Sequence, residues 1–111
     1  MHSVESIKDE ILGKDYDLSF AFVGPKEIRR LNKIYRNIDK PTDILSFPLD
    51  KEEGEIYICK SEARKEAKKF DRKYENFIDF LVIHGMVHLK GYDHSSTMER
   101  IESKFRKKFG I

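Results

Sequence analysis

The sequence of 111 residues contains a single cysteine. No disulfide can form within the chain, and such a composition fits a reducing compartment. It also lacks any apolar run long enough to cross a bilayer. The start, Met1 to Glu10, mixes charged with apolar residues and has no continuous apolar signal-peptide core. These absences predict a cytoplasmic protein without a membrane partner. Charge of one sign is scarce as well: 22 Lys and Arg stand against 20 Asp and Glu, a formal net charge of +2, although charged residues make up 38% of the chain. The global field therefore neither demands nor excludes nucleic acid, and any basic surface must be local. No internal repeat, low-complexity tract or interdomain linker divides the sequence. Its length suits one domain, residues 1–111, with room for a single core.

What the chain does have is a concentration of imidazole. Three of its four histidines fall in His84-Gly85-Met86-Val87-His88-Leu89-Lys90-Gly91-Tyr92-Asp93-His94. Residues four apart on a helix sit one above the other, so His84 and His88 share a face. Gly91 tolerates the left-handed backbone that ends a helix, and the turn it allows would return His94 to the same point. A lone histidine on an apolar helix is usually a packed or hydrogen-bonded core residue. Three at this spacing instead predict a shared metal, His84, His88 and His94 binding Zn2+ with a fourth position open for chemistry. A structural zinc would need a fourth protein ligand; Cys59 is distant in sequence, and Asp93 is better suited to orienting a histidine. The intervals resemble the zinc-binding helix of metzincin proteases, in which a glutamate following the first histidine is the general base. Here that position is Gly85, so a protease reading keeps the metal and loses the base.

The remaining elements follow from periodicity and breakers. Ser3 caps a short helix through Val4, Ile7, Ile11 and Leu12, which Gly13 stops. Tyr16 to Val23 reads as a strand, and Gly24-Pro25 breaks it before a helix that ends near Arg36. A turn-rich segment, Asn37 to Asp43, leads into a short strand, Ile44 to Pro48, closed by proline. Leu49 to Gly54 reads as a charged loop, and Glu55 to Cys59 alternates as a strand. Ser61 is the expected cap of a helix running through Phe70. Apolar groups surround the helix from about Tyr74 to Leu89, predicting burial on most sides. The last helix starts near Ser95 or Ser96, with a capping box to Glu99 if Ser96 is the cap, and an inner face of Met98, Ile101, Phe105 and Phe109. Together these elements predict an α/β (α+β mixed) fold: a small mixed central sheet of three to four strands packed with about five helices.

Other residues have bland readings beside functional ones. The basic run Arg100, Lys104, Arg106, Lys107 and Lys108 could touch phosphate, but cations are favoured near a helix C-terminus anyway and a solvated face is the simpler reading. Cys59 reads as a small core residue of a strand. A guanidinium at Arg36, ending a helix before a polar loop, can clamp phosphate bidentately, although a surface ion pair is the safer reading for an unselected arginine.

A resemblance raises Arg36 above that background. Leu31-Asn32 to Tyr35-Arg36, Pro41-Thr42-Asp43-Ile44-Leu45-Ser46-Phe47-Pro48, Gly54-Glu55-Ile56-Tyr57-Ile58 and His84-Gly85 to Gly91-Tyr92-Asp93-His94 occur in the order seen in the YbeY family. These are bacterial rRNA maturation factors described as metal-dependent endoribonucleases. The resemblance runs from about Leu18 to the C-terminus, and the histidine motif with the Thr-Asp-Ile-Leu-Ser-Phe segment is specific. It implies that His84, His88 and His94 hold zinc and that Arg36 is needed for RNA cleavage. It also implies a groove admitting single-stranded RNA, a role in 16S rRNA 3′-end maturation and ribosome quality control, and association with the small ribosomal subunit or a ribosomal protein.

The chain departs from that pattern at its start, where a helix stands in place of the family's usual first strand, so the sheet is expected to be one strand short, with an edge to protect. Glu55 replaces a common aspartate, and Met86-Val87 replaces a more usual pair ending in leucine. As a general base, the sequence offers Asp43 or Asp93 without choosing between them. The competing readings are a metzincin-like zinc protease or other metallohydrolase, and a ribosome-binding assembly factor whose metal is structural.

Overall fold

A computed structural model describes residues 2–92 and 95–111. In chain order these residues form α1 (Val4–Ile11), β1 (Asp17–Phe22), α2 (Pro25–Arg36), β2 (Ile44–Asp50), β3 (Glu53–Ile58), α3 (Lys60–Lys69), α4 (Tyr74–Leu89) and α5 (Ser96–Phe109). The expected mixed α/β architecture is present, with five helices around a sheet of three strands in the order β1-β3-β2.

The last strand in sequence is central. It pairs in parallel with β1 and antiparallel with β2. Successive side chains of a strand point to opposite faces, and β3 uses both: Ile56 and Ile58 enter the main core, while Tyr57 packs on a second cluster. That second cluster, Ile28, Leu31, Leu45 and Cys59, lies beneath α2. The main core joins Ile56 and Ile58 to Ile7 and Ile11 of α1, Ala63 and Ala67 of α3, Met98 of α5 and most of the apolar residues of α4. The sheet is thus covered by α2 on one face and by the other helices, centred on α4, on the other.

Local chemistry explains most boundaries. Ser3 Oγ accepts the Ser6 N–H at 3.2 Å and caps α1. Pro25 occupies the first turn of α2, where its missing N–H costs nothing, and Asn37 ends that helix in the left-handed conformation at φ 57°. Gly91, after α4, has φ 108°, the backbone expected of the turn that follows the two histidines. Lys8 is buried because its ammonium donates to the carbonyls of Lys14 and Tyr16, both at 3.2 Å, tying α1 to the start of β1.

Three boundaries differ from the sequence reading. Proline does not close β2, which runs on to Asp50 with a register shift between Pro48 and Asp50. An edge strand tolerates proline because one side of it needs no ladder hydrogen bond. The expected loop from Leu49 to Gly54 accordingly shrinks to a tight turn at Lys51 and Glu52, where Asp50 Oδ1 accepts the Glu52 N–H at 2.8 Å. Cys59, not Ser61, stands at the cap of α3, with no side-chain hydrogen bond to the helix N–H groups. At α5 the alternatives resolve to Ser95, whose Oγ accepts the Met98 N–H at 3.2 Å.

Ile56 is fully buried at the centre of the sheet, between strands on both sides and beneath α4. Replacing it with alanine removes apolar contact and leaves a cavity, an expected cost of about 2–5 kcal/mol. A urea titration of Ile56→Ala against the parent checks this; an unchanged midpoint would mean that the sheet does not rest on this contact.

Candidate active-site groove

The buried helix α4 carries His84 and His88 past the sheet edge, and its close approach depends on Gly85. A Cβ there would lie 3.0 Å from Ile44 Cδ1 and 3.1 Å from Ile56 Cδ1. Position 85 therefore faces the sheet, and its carbonyl accepts the hydroxyl of Ser46 at 2.9 Å. The helix and β2 are consequently locked side by side. Between them and the end of α2 lies a groove of about 450 Å³ lined by Tyr35, Arg36, Ser46, Phe47, His84 and His88, with Ile44 and Pro48 beside them.

Each imidazole is held from behind. Nδ1 of His88 donates to the carbonyl of Tyr92 at 3.1 Å. Nδ1 of His84 is engaged by Oε1 of Glu102, a carboxylate from α5. The Glu102 side chain is only 7% exposed, against 26% for His84, so the acid is buried and the ring reaches the groove. Partners at Nδ1 fix ring orientation and direct any ligation to Nε2, the arrangement typical of metal-binding histidines. The donor chemistry of this pair therefore fits an ion bound through nitrogen. Among the described residues, no group of three His, Cys, Asp or Glu side chains forms a metal cluster. His94, expected as the third ligand, and Asp93, expected as its neighbour or as a base, lie outside the described residues.

Arg36, the last residue of α2, is exposed and lines the same groove as the two histidines. The remaining sequence candidates lie elsewhere. Cys59 is 1% exposed in the cluster beneath α2. Asp43 lines an adjoining cleft of about 610 Å³ with Glu66, Glu99 and Glu102. The two clefts meet at Ile44 and His84: guanidinium on one side, carboxylates on the other. Burial raises the Asp43 carboxyl above the usual range, and Glu66 adds to the shift.

Sequence reasoning missed three contributors. Glu102 falls four residues after Met98 on the inner face of α5, and a carboxylate on an apolar stripe signals a buried partner. Ser46 and the Tyr35–Phe47 ring pair carried no such signal, because α2, β2 and α4 meet only in three dimensions.

Imidazoles beside a guanidinium supply what phosphodiester hydrolysis requires, ligation or proton transfer together with neutralisation of phosphate charge. On a mixed α/β scaffold, that combination puts the chain in the class of small nuclease-type hydrolases. Residues 2–109 match the family model described as Endoribonuclease YbeY, and the chain belongs to that family. Similar proteins named Endoribonuclease YbeY include one from Staphylococcus carnosus, 36% identical over 113 residues, covering 91% of this chain and 74% of that protein. Another, from Finegoldia magna, is 40% identical over 109 residues, covering 92% and 71%. The solution structure of a Thermotoga maritima protein is similar with a TM-score of 0.70 at 34% identity, covering 96% of this chain and 79% of that one.

The half-buried carboxyl of Asp43 generates a test of its own. With its folded pKa above the unfolded value, Asp43 takes up a proton on folding in the window between the two, so its contribution to stability falls as pH rises through that window. Once ionised, the carboxylate is held in the native fold at a cost in solvation. Asp43→Asn is expected to raise the melting temperature at neutral pH, the gain shrinking as pH is lowered through about 4, where the unfolded carboxyl takes up its proton as well. Thermal melts at both pH values check the sign; destabilisation at neutral pH would show the carboxylate to be satisfied.

Proposed function

We propose that this chain is a metal-dependent endoribonuclease that cuts single-stranded RNA, with a zinc ion held by His84, His88 and His94 and with Arg36 as its phosphate clamp. The observation that carries the reading is the meeting of Arg36 with two Nδ1-anchored histidines on one groove, although they come from different helices. Family membership supplies RNA as the substrate class. In line with the family resemblance, the substrate is rRNA, the role is 16S 3′-end maturation and ribosome quality control in the cytoplasm, and the small ribosomal subunit is the partner.

The chain's own residues divide the work. Glu102 and the Tyr92 carbonyl hold the two rings at Nδ1, which would leave Nε2 to coordinate the ion. When bound, zinc supplies Lewis acidity and lowers the pKa of water to about 7. Arg36 binds the scissile phosphate through its fork of donors and neutralises the charge that grows there. The carboxylates of the adjoining cleft repel the phosphate backbone and leave the Arg36 side as the favourable path. Asp43, a carboxyl of the adjoining cleft whose pKa is raised by burial and by Glu66, and Asp93 are the two candidate bases.

The protease alternative loses further ground on geometry. A Cβ at position 85 would crowd Ile44 and Ile56, so a glutamate there would need local repacking before it could act as the metzincin base.

Cleavage of a labelled single-stranded RNA, followed together with metal analysis, tests the proposal. His88→Ala is expected to lose both bound metal and cleavage. Arg36→Ala should retain the metal and lose about 10²–10³-fold in rate, the scale of removing one charge-stabilising donor. Undiminished cutting by both purified variants would expose a contaminating nuclease. Unfolding on chelation with no turnover of RNA would favour the assembly factor with a structural metal.

A further inference from the structure

The groove has an aromatic wall that the phosphate chemistry does not use. Tyr35 stacks on Phe47 with ring centroids 4.4 Å apart and planes 24° from parallel. Phe47 in turn leans on Tyr57 at 5.9 Å and 39°. At the far end of this ladder the Tyr57 hydroxyl donates to Glu55 Oε2 at 2.7 Å. That bond, the largest cause, holds the phenol protonated with a pKa pushed up to about 12. The three rings come from α2, β2 and β3, so both strands of the hairpin contribute to a fixed support for one side of Tyr35. Yet Tyr35 itself is 55% exposed. A large ring held by its neighbour on one face and open to water on the other is preorganised to receive a second flat, apolar surface.

Position identifies that surface. Tyr35 immediately precedes Arg36, and both line the groove of His84 and His88. A phosphate at Arg36 brings with it the attached nucleoside, whose base offers a π-face whatever its identity. On the opposite side of His84 stand Asp43, Glu66 and Glu99, which disfavour the strand's passage there. The charge pattern therefore directs an anionic polymer along the Tyr35 side.

We propose that Tyr35, backed by Phe47, is a base-stacking platform that captures one unstacked nucleobase beside the phosphate held by Arg36. The inference rests on the endoribonuclease reading and deepens it. A base within a duplex already stacks on its neighbours and cannot reach Tyr35 without unpairing, so the platform selects single-stranded over paired RNA. It also makes recognition tolerant of sequence, since stacking does not read hydrogen-bonding edges.

The test is fluorescence anisotropy with a labelled single-stranded RNA oligonucleotide, its integrity checked on a gel after each titration, alongside an abasic oligonucleotide of equal charge. Tyr35→Ala is expected to weaken binding of the intact RNA by about 5- to 150-fold, the range for loss of one stacked base. Tyr35→Phe should restore it. The preference of the parent protein for intact over abasic RNA should collapse in Tyr35→Ala, while Leu49→Ala, another exposed apolar residue, keeps it. Melting curves of each variant confirm the fold. Two results overturn the platform while leaving RNA cleavage standing: undiminished binding by a folded Tyr35→Ala, or an equal loss on intact and abasic RNA. A parent protein that neither binds nor cuts single-stranded RNA overturns both the platform and the function on which it rests.

Discussion

The structure depends on how closely α4 lies against the sheet. A side chain at position 85 would crowd Ile44 and Ile56, so glycine sets the distance between the helix and the two strands below. At that distance Ser46 reaches the Gly85 carbonyl, and the rings at positions 84 and 88 come level with the end of α2. Packing interiors transmit small displacements because they are as dense as organic crystals. A methyl group added at position 85 would force the Ile44 and Ile56 side chains or the helix to give by a few tenths of an ångström. The residue that removes a protease-like base from the motif is the same one that lets the helix sit low enough to form the groove.

Charge around the first histidine is divided, and the division gives the site its polarity. His84 borders an acidic cleft on one side and an arginine-bearing groove on the other. A balanced overall charge of +2 conceals this local contrast. Opposed potentials across a few ångströms orient a polyanion more effectively than a uniformly basic surface would, because the wrong path is penalised as well as the right one favoured. The raised pKa of Asp43 is a by-product of the same clustering, since burial and the nearby Glu66 both oppose its ionisation.

Elements with strong local signals were legible in the sequence. Proline at the start of α2 and the apolar residues on most sides of α4 marked both helices, and the i, i+4 spacing of His84 and His88 placed them on one face. The end of β2 was not legible, because proline excludes a residue only from the middle of a sheet and nothing local reveals that a strand lies at the edge. The Lys51-Glu52 turn likewise lacks the Asn-Gly type of signal that marks a tight hairpin. In the site, the histidine pair followed from periodicity, whereas Arg36 rose above other surface arginines only through family resemblance. Glu102 was hidden for a different reason: its partner belongs to another helix, and no one-dimensional pattern links them.

The link between Glu102 and His84 spans eighteen positions and joins α5 to α4. A ribosome making this chain therefore adds both helical histidines before the carboxylate that steadies the first of them. The His84 ring reaches its final alignment only once α5 has packed against α4. That side of the groove is thus completed by tertiary packing between two helices and not by α4 alone.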